Sequence, residues 1–302
     1  MNNPWKDINL SDYESHMALD SVRQLQAMNQ MMQGQLNKYD IKSVMILGIA
    51  GGNGLEHVDA TKITKVYGVD INAEYLATTK ERYKMLSGIL ECLCIDLNRE
   101  TEKLPQVNLL IANLLIEYIG YECFQKVVKI VNPQYVSCVI QINTDESFVS
   151  DSPYLHAFDG LECVHHQMEE QELQNSMERI GYQLIQILEH PLPNGKKLVQ
   201  LDFGNNSIVL SDNKEAMNSE IMCLKQRSVD IVNSIEYHQN LISECDKLLT
   251  DLNPDLAEKR AQKERIDSLE SQIAKLMEMN SQLMSRLGAE TPKIENNESM
   301  GT

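Results

Sequence analysis

Long apolar runs are missing from this chain. No window of its 302 residues approaches the ~20 consecutive apolar side chains of a bilayer-crossing helix, which argues against a membrane span. The start, Met1-Asn-Asn-Pro-Trp-Lys-Asp7, has no apolar signal-peptide core, so a cytoplasmic location is expected. Positive charge is scarce as well. With 27 Lys and Arg against 44 Asp and Glu, the formal net charge is −17, which opposes attraction to polyanions and disfavours nucleic acid as a substrate. The seven cysteines (92, 94, 123, 138, 163, 223 and 245) lack the paired spacings of a zinc site, so no metal is expected. Set mostly in apolar stretches, they read as reduced packing residues. What is present is 42% apolar content, enough for one sizeable core and a further element.

Periodicity divides the chain. Met17, Val22, Leu25, Met28 and Met32 recur at mostly helical spacing, which predicts helix from Tyr13 within an N-terminal cap of residues 1–40. From 41 to 204, short apolar runs alternate with amphipathic segments. The strands are expected at 43–47, 65–69, 90–95, 107–112, 135–142, 183–189 and 197–203, and helices at 73–87, 121–131 and 169–180. This is repeated βαβ, and it calls for a mainly parallel sheet covered on both faces. The last two strands are joined through Pro191-Leu-Pro-Asn-Gly195, which predicts an antiparallel pair at one edge. The fold expected is therefore α/β and Rossmann-like: a mainly parallel seven-stranded sheet with an antiparallel last strand, an N-terminal helical lid and a C-terminal long-helix extension.

Val44-Met-Ile-Leu-Gly-Ile-Ala-Gly-Gly-Asn-Gly-Leu55 places a glycine turn after an apolar strand, and Val66-Tyr-Gly-Val-Asp-Ile71 ends the next strand on an acid. Glycines let the backbone turn tightly near a ligand, and a helix after them would point its N–H groups at it. Asp70 stands 22 positions after Gly48, a distance suited to binding ribose hydroxyls of an adenosine-containing cofactor.

These residues, together with the terminal strand pair, resemble the class I S-adenosylmethionine-dependent methyltransferase family over about residues 41–204. The resemblance implies S-adenosyl-L-methionine as cofactor. It places Gly48, Ala50 and Gly52 at the family's glycine positions, with Ala50 for the middle glycine and Ile46 where an acid is common. It implies that Asp70 binds the ribose, that Ile71 packs against adenine, and that Asp96, in Cys94-Ile-Asp-Leu-Asn98, accepts from the adenine amino group with Leu97 as its backbone-donating neighbour. The segment from Asn108 to Gly120 resembles the motif beside the transferable methyl, with Asn108 where Asp is frequent and Asn113 at the sheet edge. Asp96 and Asn113 also have a purely capping reading.

A sulfonium methyl is already activated, so the protein must mainly align an acceptor and exclude water. Glu117 and Tyr118 are candidates for a base if the acceptor carries a proton, although a solvated helix start explains Glu117 as well. His16 is a further candidate base, and Tyr13 a candidate lining residue, in a helix expected to be capped by Ser11 or Asp12. His165 and His166 fall where such folds place acceptor-recognition elements; being adjacent, they point apart. His57 is expected inside the first helix. The acceptor is expected to be a small molecule.

Leu224, Ser228, Ile231, Ile235, His238, Ile242, Cys245, Leu249 and Leu252 form a heptad seam, and Ile266, Leu269, Ile273, Leu276, Asn280, Leu283 and Leu287 form a second, with Asn253-Pro254 between them. Residues 205–288 are thus a helical coiled-coil region, either folded back as a hairpin or paired as a homodimer or with a protein partner. Residues 289–302 read as a polar tail. The alternative to a methyltransferase is a non-catalytic scaffold that keeps this core. A nicotinamide-dependent oxidoreductase is disfavoured, since no Tyr-x-x-x-Lys pair is seen.

Overall fold

Seven apolar runs become seven strands of one sheet in the computed structural model, which describes residues 3–143, 149–251 and 256–289. They are β1 (Ser43–Leu47), β2 (Lys65–Asp70), β3 (Leu90–Cys94), β4 (Leu109–Asn113), β5 (Tyr135–Ile142), β6 (Tyr182–Pro191) and β7 (Lys197–Asn205). Their spatial order is β3-β2-β1-β4-β5-β7-β6. Neighbours from β3 to β5 run parallel, and β7 is antiparallel to both β5 and β6. Val44 to Leu47 and Leu109 to Ala112 are buried without alternation, as expected of central strands covered on both faces. The order reverses between β1 and β4, so a crevice opens at the C-terminal ends of these two strands.

The helices are α1 (Leu10–Ala18), α2 (Gln24–Lys38), α3 (Ala73–Arg82), α4 (Ile116–Val131), α5 (Glu170–Glu178), α6 (Asn206–Asp251) and α7 (Leu256–Ala289). The chain divides into two compact units, Met1–Leu210 and Ser211–Thr302. α1 starts earlier than expected, because the Asn9 side chain accepts from Ser11 N–H at 2.8 Å and caps it in place of Ser11 or Asp12. α4 begins at Ile116 rather than Tyr121 and is kinked at Gly120.

The glycine turn does not lead into an α-helix, contrary to expectation. Between β1 and β2 the chain makes one 3₁₀ turn, Leu55–His57, because Gly51, Gly52 and Gly54 in close succession are poor helix formers. α2 covers this face instead. Its Met32 and Leu36 pack with Val44, Ile46, Leu55 and Val66. Gly54, at φ +91°, lies so near that a Cβ there would strike Met32. Asn29 of α2 accepts from His57 Nε2 on its Oδ1 at 2.8 Å and donates to Asn53 Oδ1 at 2.9 Å, which fixes the turn to the helix. Ile46 is thereby part of an apolar layer, not of a polar site. Asn108 ties the starts of β1 and β4 together, its Oδ1 accepting from the N–H groups of Lys42 and Ser43 at 3.0 Å each.

A buried polar chain anchors α2 to the sheet. Gln35, fully buried, exchanges two amide hydrogen bonds of 2.9 Å with Asn113 and donates to Ser137 Oγ at 2.9 Å. Ser137 in turn donates to Asp202, which also takes Lys38 Nζ and Tyr39 O–H. Replacing Gln35 by Leu is expected to cost about 1–3 kcal/mol, since Asn113 loses its partner in a buried place. Urea denaturation measures it.

Of the cysteines, Cys138 is buried and fits the packing reading, whereas Cys94, Cys163 and Cys223 are exposed. Exposed positions follow from edge strand β3, a surface 3₁₀ segment and helix α6. No helix among the described residues is long and apolar enough to cross a membrane.

Within the second unit, Ser228 Oγ of α6 donates to Asn280 Oδ1 of α7 at 2.7 Å, and Ile235 and Ile273 are buried. These positions are symmetric about residue 254, as a hairpin requires, so Asn280 has a partner within its own chain. The Asn253-Pro254 break and the tail from residue 290 lie outside the described residues.

Candidate functional site

The sheet order sets the site. Reading along its C-terminal edge, the ends of β3, β2, β1, β4 and β5 bring Asp96, Asp70, Gly48, Asn113 and Gln141 into one row. Strands are about 4.8 Å apart, so the first four span roughly 14 Å, the reach of an extended nucleoside with its substituent. A cleft of about 680 Å³ follows this row. Its lining includes Gly48, Ala50, Asp70, Ile71, Asp96, Leu97 and Asn113, seven of the eight residues expected around the cofactor, and also Tyr13 and Tyr118. Gly52 is the eighth. It packs beneath Tyr83 and Leu55, outside the lining.

Asp70 serves the glycine turn directly. Its Oδ2 accepts from Ala50 N–H and its Oδ1 from Asn72 N–H, both at 2.9 Å. Burial holds this carboxyl above its ordinary pKa, with those N–H groups acting the other way. Asp96 accepts from Asn98 N–H at 3.0 Å in a local turn, so its capping reading has geometric support while it still lines the cleft. Asn113 differs from expectation in one respect: its side-chain amide is committed to Gln35. The turn amides are committed too. Gly48 and Ile49 donate to the Val69 carbonyl, Ala50 to Asp70, Gly52 to the Ile49 carbonyl and Gly54 to Glu56, which leaves little of the expected backbone supply for a ligand.

Ala50 adopts φ +47°, a conformation that costs an L-residue about 1–2 kcal/mol. Ala50→Gly is therefore expected to stabilise the protein by about 0.5–1 kcal/mol after the entropy cost of glycine, measured by urea denaturation.

A second cavity of about 580 Å³ adjoins the first and shares the wall formed by Trp5, Tyr13, Leu114 and Tyr118. His16, Glu117, Gln141, Phe158 and His165 complete much of its lining. Glu117 is not at a solvated helix start: it is 4% exposed. Its Oε1 accepts from Gln141 N–H at 2.9 Å, while Oε2 is buried with no hydrogen-bond partner. Burial pushes its pKa up to about 7 against the N–H of Gln141. Burial and the nearby Lys196 charge lower the pKa of His16, whose Nδ1 lies 2.8 Å from Ser152 Oγ. Burial, then His166 and Lys196, lower that of His165. Burial raises the Tyr13 and Tyr118 phenols.

His166 does not join this site. It is exposed, with its ring beside Gly120, and its backbone N–H donates to the Glu117 carbonyl at 2.6 Å. His165, by contrast, lines the second cavity. His57, in the 3₁₀ turn, is held by Asn29. Glu14 pairs with Arg82.

Three contributors escaped the sequence reading. Trp5 lines both cavities, and its segment is strapped down by Asn72 Nδ2, which donates to the Trp5 carbonyl at 3.0 Å, and by Tyr75 O–H, which donates to the Ile8 carbonyl at 2.8 Å. Gln141 positions Glu117. Leu114 sits between the cavities at φ +53°, a left-handed conformation that is costly for a bulky residue. A leucine following an apolar strand gives no sequence signal of this.

The donor set fits an adenosine cofactor: carboxylates at the ends of β2 and β3, apolar Ile71 and Leu97 beside them, and a glycine at φ +65° where β1 ends. No family model matches the sequence, and no curated protein matches it. Solved structures do. One is the N-methyltransferase NodS from Bradyrhizobium japonicum WM9 in complex with S-adenosyl-L-homocysteine, with a TM-score of 0.49 at 11% identity, covering 68% of this chain and 99% of that one. Another is a putative S-adenosylmethionine dependent methyltransferase from Listeria monocytogenes, with a TM-score of 0.44 at 14% identity, covering 59% and 99%. The cyclase SpnF is similar at a TM-score of 0.47 and 8% identity, covering 61% and 82%. With β7 reversed between β5 and β6 and the crevice at the β1/β4 reversal, the first unit has the class I S-adenosylmethionine-dependent methyltransferase fold.

Proposed function

We propose that the first unit is an S-adenosylmethionine-dependent methyltransferase acting on a small-molecule acceptor held in the second cavity. The observation that carries this reading is the pair of cavities divided by one wall, with the adenosine-type carboxylates in the first and a partly unpartnered, buried Glu117 in the second.

Asp70 would take the ribose hydroxyls on the lone pairs its backbone bonds leave free. Asp96 and Leu97 would meet the adenine edge, Ile71 its face, and Tyr13 and Tyr118 would close the far end. When bound, S-adenosylmethionine supplies a sulfonium methyl to which a neutral nucleophile bonds as the C–S electron pair withdraws to sulfur. The protein aligns that nucleophile through the shared wall, keeps water out with its aromatic rings, and holds a proton acceptor at Glu117 Oε2. The mostly aromatic and apolar lining of the second cavity, with few polar groups, suits a small-molecule acceptor.

The test is formation of S-adenosylhomocysteine from S-adenosylmethionine with pooled small amines, alcohols and thiols. Acceptor-dependent product from the wild type is expected. Its absence from every pool, with the cofactor bound, would contradict the reading.

The helical second unit is read as an interaction element, serving a homodimer or a protein partner. The support is that Met222, Val229, Val232 and Met277 stay exposed on its helices.

A further inference from the structure

The second cavity has walls of an unusual kind. Trp5 meets Tyr118 edge to face at 4.9 Å between ring centroids and Tyr13 at 5.7 Å, and Phe158 lies 4.9 Å from His16. Aromatic faces carry negative charge density and attract cations, more strongly where water is excluded. Among the described lining residues Glu117 is the one acid, and its Oε2 is buried and unpartnered. The other titratable liners are Tyr13, Tyr118, His16 and His165. Burial and the charge of Lys196, itself buried, disfavour protonation of both imidazoles, with His166 acting the same way on His165. Aromatic faces and an unpartnered carboxyl oxygen favour a cationic guest, whereas a neutral guest leaves Oε2 without a charged partner.

We propose that this cavity receives a small amine, whose ammonium group sits against Glu117 Oε2 and the aromatic walls and passes one proton to that oxygen. An N–H bond breaks, an O–H bond forms on Oε2, and the electron pair stays on nitrogen. The amine becomes neutral and nucleophilic and the carboxyl uncharged, with no other reactant needed. The identification of the acceptor as an amine rests on the methyltransferase reading, but the recognition of an amine can be tested without it.

Trp5 is the single tryptophan of the chain and stands in the shared wall, so its fluorescence reports occupancy. The full chain is titrated with 2-phenylethylamine, 2-phenylethanol and 3-phenylpropanoate, and separately with S-adenosylmethionine, by fluorescence and calorimetry. The amine is expected to bind about tenfold or more tightly than the alcohol, the carboxylate more weakly than either. The preference should shrink on acidification through about pH 7, as Glu117 is protonated. Glu117→Gln, which keeps the oxygen facing Gln141, should bring the amine down to the level of the alcohol. Equal binding of amine and alcohol by the wild type, preference for the carboxylate, binding of none of the three, or an amine preference that survives Glu117→Gln would each overturn the proposal. Amine preference without S-adenosylmethionine binding would instead remove the methyltransferase reading and leave this one standing.

Discussion

Glu117→Gln is expected to raise stability at about pH 8 by about 3 kcal/mol while lowering methyl transfer by about 10²- to 10⁴-fold. The two effects have one cause. In the unfolded chain this carboxyl titrates near 4.5; in the fold, burial moves it to about 7. Between those values the folded chain keeps a proton that the unfolded chain releases, so its contribution to stability falls as pH rises through the window. Above it the protein carries a buried charge whose Oε2 has no partner. Glutamine removes that charge and retains an acceptor for Gln141 N–H, so the gain should be largest near pH 8 and vanish near pH 4. Denaturant unfolding at the two pH values measures the first effect, and single-turnover rates the second. A destabilised variant at about pH 8 would show that Glu117 is held for structure. An unchanged rate would remove it from the chemistry.

Asp70→Ala is expected to weaken S-adenosylmethionine binding by about two orders of magnitude or more. Each hydrogen bond from a ribose hydroxyl to a carboxylate contributes about 1.5–3 kcal/mol, and the substitution removes two acceptor oxygens. The same oxygens hold Ala50 N–H and Asn72 N–H, so a stability loss of about 1–3 kcal/mol should accompany it. Circular dichroism at the temperature of the titration separates the two. A folded variant with wild-type affinity would take the ribose role from Asp70.

Much of this organisation can be read from the chain before any coordinates. The strands are legible because each is an apolar run bounded by turn residues, and the antiparallel end because Pro191 to Gly195 leaves no room for a crossover helix. The helix expected after Gly48 is absent because Gly51, Gly52 and Gly54 disfavour it, and what takes its place is not visible locally. α2, which precedes the sheet, already covers that face, and a βαβ reading looks only downstream. Asp70 and Asp96 were legible because strand ends are. The state of Glu117 was not. Ile116-Glu117-Tyr118-Ile119 reads as an ordinary helix start, and only tertiary packing, with Gln141 N–H from β5 on Oε1, makes its carboxyl buried. Gln35 and Asp202 did leave a trace, as polar letters within helix or strand patterns, but the network joining them spans over a hundred and sixty positions and depends on tertiary contact.

The central claim is that the row of strand ends from β3 to β4 holds an S-adenosyl group. Calorimetric titration of the full chain with S-adenosylmethionine, with NAD as control, tests it most directly. Saturable binding of S-adenosylmethionine, little of NAD, and loss of the former in folded Asp70→Ala are predicted; binding of neither by the folded chain, or of NAD alone, would contradict the account.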